Sequence, residues 1–167
     1  MLRALIAPLL CALTLGSLPA QAADLSPKPV ERNARCPVCG MYPSRTPQWM
    51  AQIVFNDQTA SSFDSPLDLF RFLNNMVLFD KTHKPADVGA VWVADYQSKA
   101  WIDARKAFFV LGAKAPGPMG ESNLPAFTTR DQAQAFTQSQ GGKVLTFGDI
   151  TREVIKSLNS GHGGHQH

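Results

Sequence analysis

The sequence predicts an α+β fold, and three observations carry that prediction. Short runs rich in β-branched and aromatic residues are bounded by turn residues, as strands are. Two runs with apolar residues at helical spacing each follow a hydroxyl residue suited to capping a helix. The order strand, strand, helix, strand is met twice, with Phe63-Asp64-Ser65 entering the first helix and Phe127-Thr128-Thr129 the second. A match that short reads equally well as an internal duplication or as coincidence.

Residues 1–22 read as a cleaved export signal rather than as part of the fold. Arg3 supplies the positive end, Ala4 to Gly16 an apolar run, and Ala20-Gln21-Ala22 a small-x-small cleavage site. The run falls short of the roughly 20 apolar residues that a spanning helix needs. Cys11 lies behind Leu10, where a lipid-attachment signal calls for a small residue, so Cys11 is expected to leave with the signal. The expectation is a soluble periplasmic protein of ordinary single-domain size. Losing Arg3, the one charge in the signal, lowers the formal net charge from +3 to +2. Scattered Lys and Arg, with no basic run, argue against a nucleic-acid partner.

The leader, residues 23–34, contains Pro27 and Pro29 and is expected to be flexible. Trp49 to Phe55 reads as a strand, Asn56-Asp57 as a turn, and Thr59 to Phe63 as a second strand. Ser65 then caps a helix, Pro66 fits its first position, and Asp68 suits its positive end. Leu67, Phe70, Leu73 and Val77 are its expected core face. The polar junction Lys81 to Pro85 divides the domain, 35–158, into halves of about 35–85 and 86–158. Ala90 to Asp95 and Lys106 to Leu111 read as strands on either side of Trp101-Ile102. A Gly/Pro-rich loop follows, Gly112 to Glu121, with Met119 at its tip. Leu124 to Phe127 is a short strand, and Thr128 or Thr129 caps a helix that stops at Gly141-Gly142. Lys143 to Phe147 is a strand, and Ile150, Val154, Ile155 and Leu158 line a final helix. The Gly/His-rich tail, 159–167, is expected to be disordered.

Chemistry concentrates in Cys36-Pro37-Val38-Cys39-Gly40-Met41. A thiolate and a thioether two residues apart face one point if Gly40 takes a positive φ. Soft sulfur donors suit Cu(I). On these six residues alone a disulfide, or a redox-active Cys pair in an oxidising compartment, ranks ahead of copper for Cys36 and Cys39. Zinc ranks last, since a structural site needs four ligands and no second Cys/His pair stands in the body. Met119 has no periodic partners, so it is either a third soft ligand or a side chain packed under its loop. Met50 and Met76 fall in strand and helix patterns and are expected to pack. His83 lies in a polar turn and is expected to be solvated, without an acidic partner. No carboxylate pair of fixed spacing emerges, which argues against acid–base catalysis. His162, His165 and His167 form a secondary candidate site for divalent metal.

Taken together, the chain resembles the NosL family of copper-handling accessory proteins of nitrous oxide reductase. The resemblance spans about residues 35–155 and rests on three blocks. They are the Cys36–Met41 motif, Val91-Trp92-Val93-Ala94-Asp95-Tyr96 with Trp101-Ile102-Asp103-Ala104, and Pro118-Met119-Gly120 with Leu124-Pro125-Ala126-Phe127. The resemblance implies two similar ββαβ halves packed as one unit. It also implies Cu(I) held by Cys39, Met41 and Met119, with Cys36 as a further candidate. The implied partners are nitrous oxide reductase and its periplasmic and membrane maturation complex, with no small-molecule substrate and no catalysis. Members of the family are commonly lipoproteins, and Leu10 before Cys11 departs from that pattern. The reading from another class is a periplasmic thiol-disulfide oxidoreductase using Cys36 and Cys39.

Overall fold

The computed structural model describes residues 23–160, with side chains as far as Leu158. The signal segment with Cys11, and the tail histidines His162, His165 and His167, lie outside the described residues. Strands β1 (Ala51–Phe55), β2 (Ala60–Phe63), β3 (Val88–Ala94) and β4 (Trp101–Asp103) form one antiparallel sheet in the order β2-β1-β3-β4. Strands β5 (Phe108–Leu111), β6 (Ala126–Phe127) and β7 (Lys143–Thr146) form a second in the order β6-β5-β7. In each sheet the first strand sits between its hairpin partner and the strand that follows a helix. The two halves therefore share one ββαβ plan. By sheet membership the first unit runs through β4, because β3 pairs with β1 across Ile53 and Val91.

Helix α1 (Pro66–Asn74) starts as its sequence dictates. Ser65 is extended and its side chain accepts from the Asp68 N–H at 3.2 Å. Satisfying one of the otherwise orphaned first-turn donors stabilises a helix by about 1 kcal/mol. Leu67, Leu69, Phe70 and Phe72 are buried beneath it. The helix does not continue to Val77 as the spacing predicts. Asn75 leaves helical geometry (φ −150°, ψ 56°), and a short helix α2 (Met76–Phe79) begins on a new axis. The break turns Met76 into the core and leaves Val77 73% and Leu78 61% exposed.

Helix α3 (Arg130–Gln140) is capped by Thr129, which accepts from Gln132 N while Gln132 Oε1 accepts from Thr129 N. It closes at Gly141, whose φ of +72° is the left-handed turn that glycine takes without cost. Helix α4 (Arg152–Ser160) returns Ile155 and Leu158 to the core. One apolar cluster contains Ile53, Phe63, Phe70, Phe109 and Leu145, so both sheets share a core. Past β3, the Asp95–Ala126 bridge and the Tyr96 N–H donating to Ala126 O at 2.8 Å join the sheets directly. Every residue of β1 is buried, which requires cover on both faces. The leader supplies part of it. Gln52 accepts from Lys28 N at 2.7 Å and donates to Lys28 O at 3.1 Å, and Trp92 Nε1 donates to Leu25 O.

Candidate metal centre

The sulfur motif folds back on itself. Cys36 N donates to Met41 O at 2.8 Å, and Gly40 N donates to Cys36 O at 2.9 Å. Gly40 sits at φ +76° with open space where a Cβ would stand, so backbone strain rather than crowding demands glycine there. This small ring sets both thiols against the start of α1. Cys36, 2% exposed, donates through Sγ to Asp68 Oδ2 at 3.4 Å. Cys39, partly exposed, donates to Asp64 Oδ1 at 3.1 Å. One ligand atom from each of Cys36, Cys39, Asp64 and Asp68 lies within 4.8 Å of the others.

Both carboxylates are buried, and each is held in place. Arg71 Nη1 donates to Asp68 Oδ1 at 2.6 Å from one turn along the helix. The Asp64 carbonyl accepts from Thr46 Oγ1 at 3.3 Å. Burial, and then the charge of Asp68, raise the Asp64 carboxyl above its ordinary range, against the opposing hydrogen bond from Cys39. The hydrogen bond with Cys36, then burial and then Asp68, push the Cys39 thiol far above its ordinary value. The Met41 N–H, bonded to the same sulfur, pulls the other way.

Met119 stands on the second half's loop and is 50% exposed. Its N–H donates to Glu121 Oε2 at 2.9 Å. Glu121 Oε1 accepts from Asn123 Nδ2 at 2.6 Å, and Asn123 Oδ1 accepts from Leu67 N at 3.2 Å. The methionine loop is thus tied to the first turn of α1, beside Asp68. Gly117 is required at the loop's base, where a Cβ would collide with the Glu121 carboxylate and the Asn123 amide.

Asp64 and Asp68 were missing from the set of site residues expected from the sequence. Asp68 was legible only as a first-turn helix acid. The pair also supplies the extra ligand atoms whose absence ranked zinc last, so ligand number alone no longer sets zinc aside. His83 is corrected as well. Its Nδ1 lies 2.8 Å from Asp80 Oδ2 and its Nε2 3.3 Å from Asp57 Oδ2. Its ring stacks on Phe55 at 3.7 Å between centroids. Two acidic partners and an aromatic ring hold it, and it stands outside the thiol–carboxylate cluster.

The NosL family profile matches residues 27–155. A protein of Achromobacter cycloclastes named copper-binding lipoprotein NosL is 40% identical over 67 residues, 40% of this chain and 34% of its own length. A protein of the same name from Stutzerimonas stutzeri is 29% identical over 149 residues, 86% of this chain and 77% of its own. The crystal structure of the copper chaperone NosL from Shewanella denitrificans superposes with a TM-score of 0.65 at 24% identity, covering 78% of this chain and 99% of that one. At that identity the likeness is one of fold.

Proposed function

The chain belongs to the NosL family, and from that premise we propose that it carries Cu(I) in the periplasm and delivers it for assembly of the catalytic copper-sulfide centre of nitrous oxide reductase. One observation supports this most: two thiols converge with two buried carboxylates at 4.8 Å or less, on the turn that carries Met41. Cys39, Met41 and Met119 are the proposed ligands, with Cys36 as a further sulfur close by. Carboxylate oxygen is hard and suits Cu(I) poorly, whereas thiolate and thioether suit it well. Asp64 and Asp68 therefore orient the thiols, and they stand where the protons leaving the sulfurs can be received. An ion held by few sulfur ligands at a partly exposed cysteine passes on by ligand exchange, an acceptor sulfur or imidazole entering before a donor leaves. The cycle is transfer without turnover of a substrate bond. The thiol-disulfide oxidoreductase is the second reading, and dependence of function on Met41 and Met119, which redox chemistry would not need, separates the two.

Relatives named lipoproteins imply export. For this chain we propose cleavage after Ala22 without lipid, which intact mass of the processed protein checks. A species beginning at Cys11 with added acyl mass would overturn it. The metal assignment is tested by anaerobic titration of the reduced mature protein against a strong Cu(I) chelator, with residues 161–167 removed. Saturation at one equivalent, lost in Cys39→Ser, supports the proposal. Retention of Zn²⁺ against an equal excess of Cu(I) would favour a zinc site made with the two carboxylates.

A further inference from the structure

The break at Asn75 creates a surface that the copper site does not use. A groove of about 440 Å³ lies between the α1–α2 junction and α4. It is lined by the apolar side chains of Leu78, Phe79 and Ile155 and by the cations Arg71, Arg152 and Lys156. Among the described residues that line it, none is acidic. Leu78 in its lining is exposed; with Val77 and Met119 it makes up the exposed large apolar side chains of the described chain. Burying apolar side chains of that size against a partner is favourable. The groove also touches the metal centre through one side chain, since Arg71 in its lining is the residue that holds Asp68 at 2.6 Å.

We propose that this groove is the docking surface for the copper-accepting partner, and that it takes a protein segment presenting carboxylates beside an apolar side chain. The positive charge of the lining selects the acids, and its apolar residues, Leu78, Phe79 and Ile155, select the side chain between them. Docking here brings the acceptor to the side of the cluster where Asp68 is held. A carboxylate seated in the groove competes with Asp68 for the Arg71 guanidinium, which holds Asp68 Oδ1, and so loosens the carboxylate whose other oxygen, Oδ2, accepts from Cys36. The groove thereby links arrival of the partner to release of the cargo. The inference rests on the copper-delivery reading above.

The test uses the full mature chain with Arg152→Glu/Lys156→Glu and, separately, Leu78→Asp; all three positions are exposed. Urea unfolding and Cu(I) competition with a chelator should match wild type, since none of these residues touches the cluster. In cells at limiting copper, filling of the catalytic centre of nitrous oxide reductase should fall at least about fivefold, the loss expected from a central interface position. Cys39→Ser runs beside them. If it leaves the centre empty while the groove variants fill it like wild type, the docking surface is wrong and copper delivery stands. Should Cys39→Ser also fill the centre, the delivery reading itself falls. Flotation of the wild-type protein with phosphatidylglycerol vesicles, lost in the charge-reversed variant, would make a lipid surface the occupant and overturn the proposal. Recovery of the charge-reversed variant on deleting residues 161–167 would do the same in favour of the chain's own tail.

Discussion

Met119→Leu isolates the thioether from everything else the side chain does. Met119 is 50% exposed. Full burial of a methionine is favourable by about 1.5–3 kcal/mol, so roughly half of that is at stake, and leucine retains most of it. Its one recorded polar contact is made by the backbone, the N–H donated to Glu121 Oε2 at 2.9 Å, and the substitution leaves it in place. Volume-conserving apolar exchanges usually cost under about 1.5 kcal/mol, and at a half-exposed site the cost should stay below about 1 kcal/mol. If Met119 is one of the three proposed soft ligands, removing its sulfur should weaken Cu(I) binding at least about tenfold, or about 1.4 kcal/mol. Anaerobic competition with a Cu(I) chelator measures the second effect and urea unfolding the first. The Cys36–Cys39 reduction potential should hold its wild-type value, because a thioether takes no part in thiol exchange. Wild-type Cu(I) affinity would remove Met119 from the ligand set. A stability loss as large as the affinity loss would show that the effect was not local.

Asn123→Ala should cost about 2–3 kcal/mol of stability, since the side chain is 2% exposed and its loss strands Leu67 N and the Glu121 carboxylate. It should also weaken Cu(I) binding in wild type but hardly at all in Met119→Leu, a non-additivity that a chelator-competition cycle reads directly. Asp95→Asn should destabilise the fold by about 2–4 kcal/mol in urea. Its Oδ1 accepts from Gln97 N, Ser98 N and Ser98 Oγ, and its Oδ2 from Thr128 N and Thr128 Oγ1, while an amide offers one accepting atom. His83→Gln should cost more stability at pH 6 than at pH 8.5. Burial would lower the His83 pKa, but the hydrogen bonds with Asp80 and Asp57 reverse this and raise it above 6.5. Its contribution is therefore complete below that value and lost as pH rises through the folded one. Asp57 and Asp80 are held below 3.8, so their share disappears only in acid.

Elements whose cause lies within a few residues were legible in the chain. Ser65 before Pro66 marked the start of α1, and Thr128-Thr129 marked that of α3, where the structure selects Thr129, because a cap bonds to its own first turn. Repeated strand, strand, helix, strand order proved to be one sheet plan used twice. Gly40 marked a local turn that needs positive φ. The end of α1 was not legible. Leu67, Phe70, Leu73 and Val77 keep helical spacing, and nothing local forbids a continuous helix through Asn75.

By itself the sequence determined the caps, the strands and the sulfur-rich turn, each a consequence of neighbours in the chain. Tertiary structure alone decided what that turn faces. Asp68 meets Cys36 across 32 residues and Asp64 meets Cys39 across 25, so no window of the sequence contains both partners. Asp68 bonds locally to Ser65, which explains it as a helix-start acid and hides its second role. His83 found Asp57 only once the β1–β2 turn was folded against the junction after α2. A cap is settled by the few bonds it makes along the chain. A metal centre is settled by which distant carboxylates are buried beside the sulfurs, and burial is a property of the packed core.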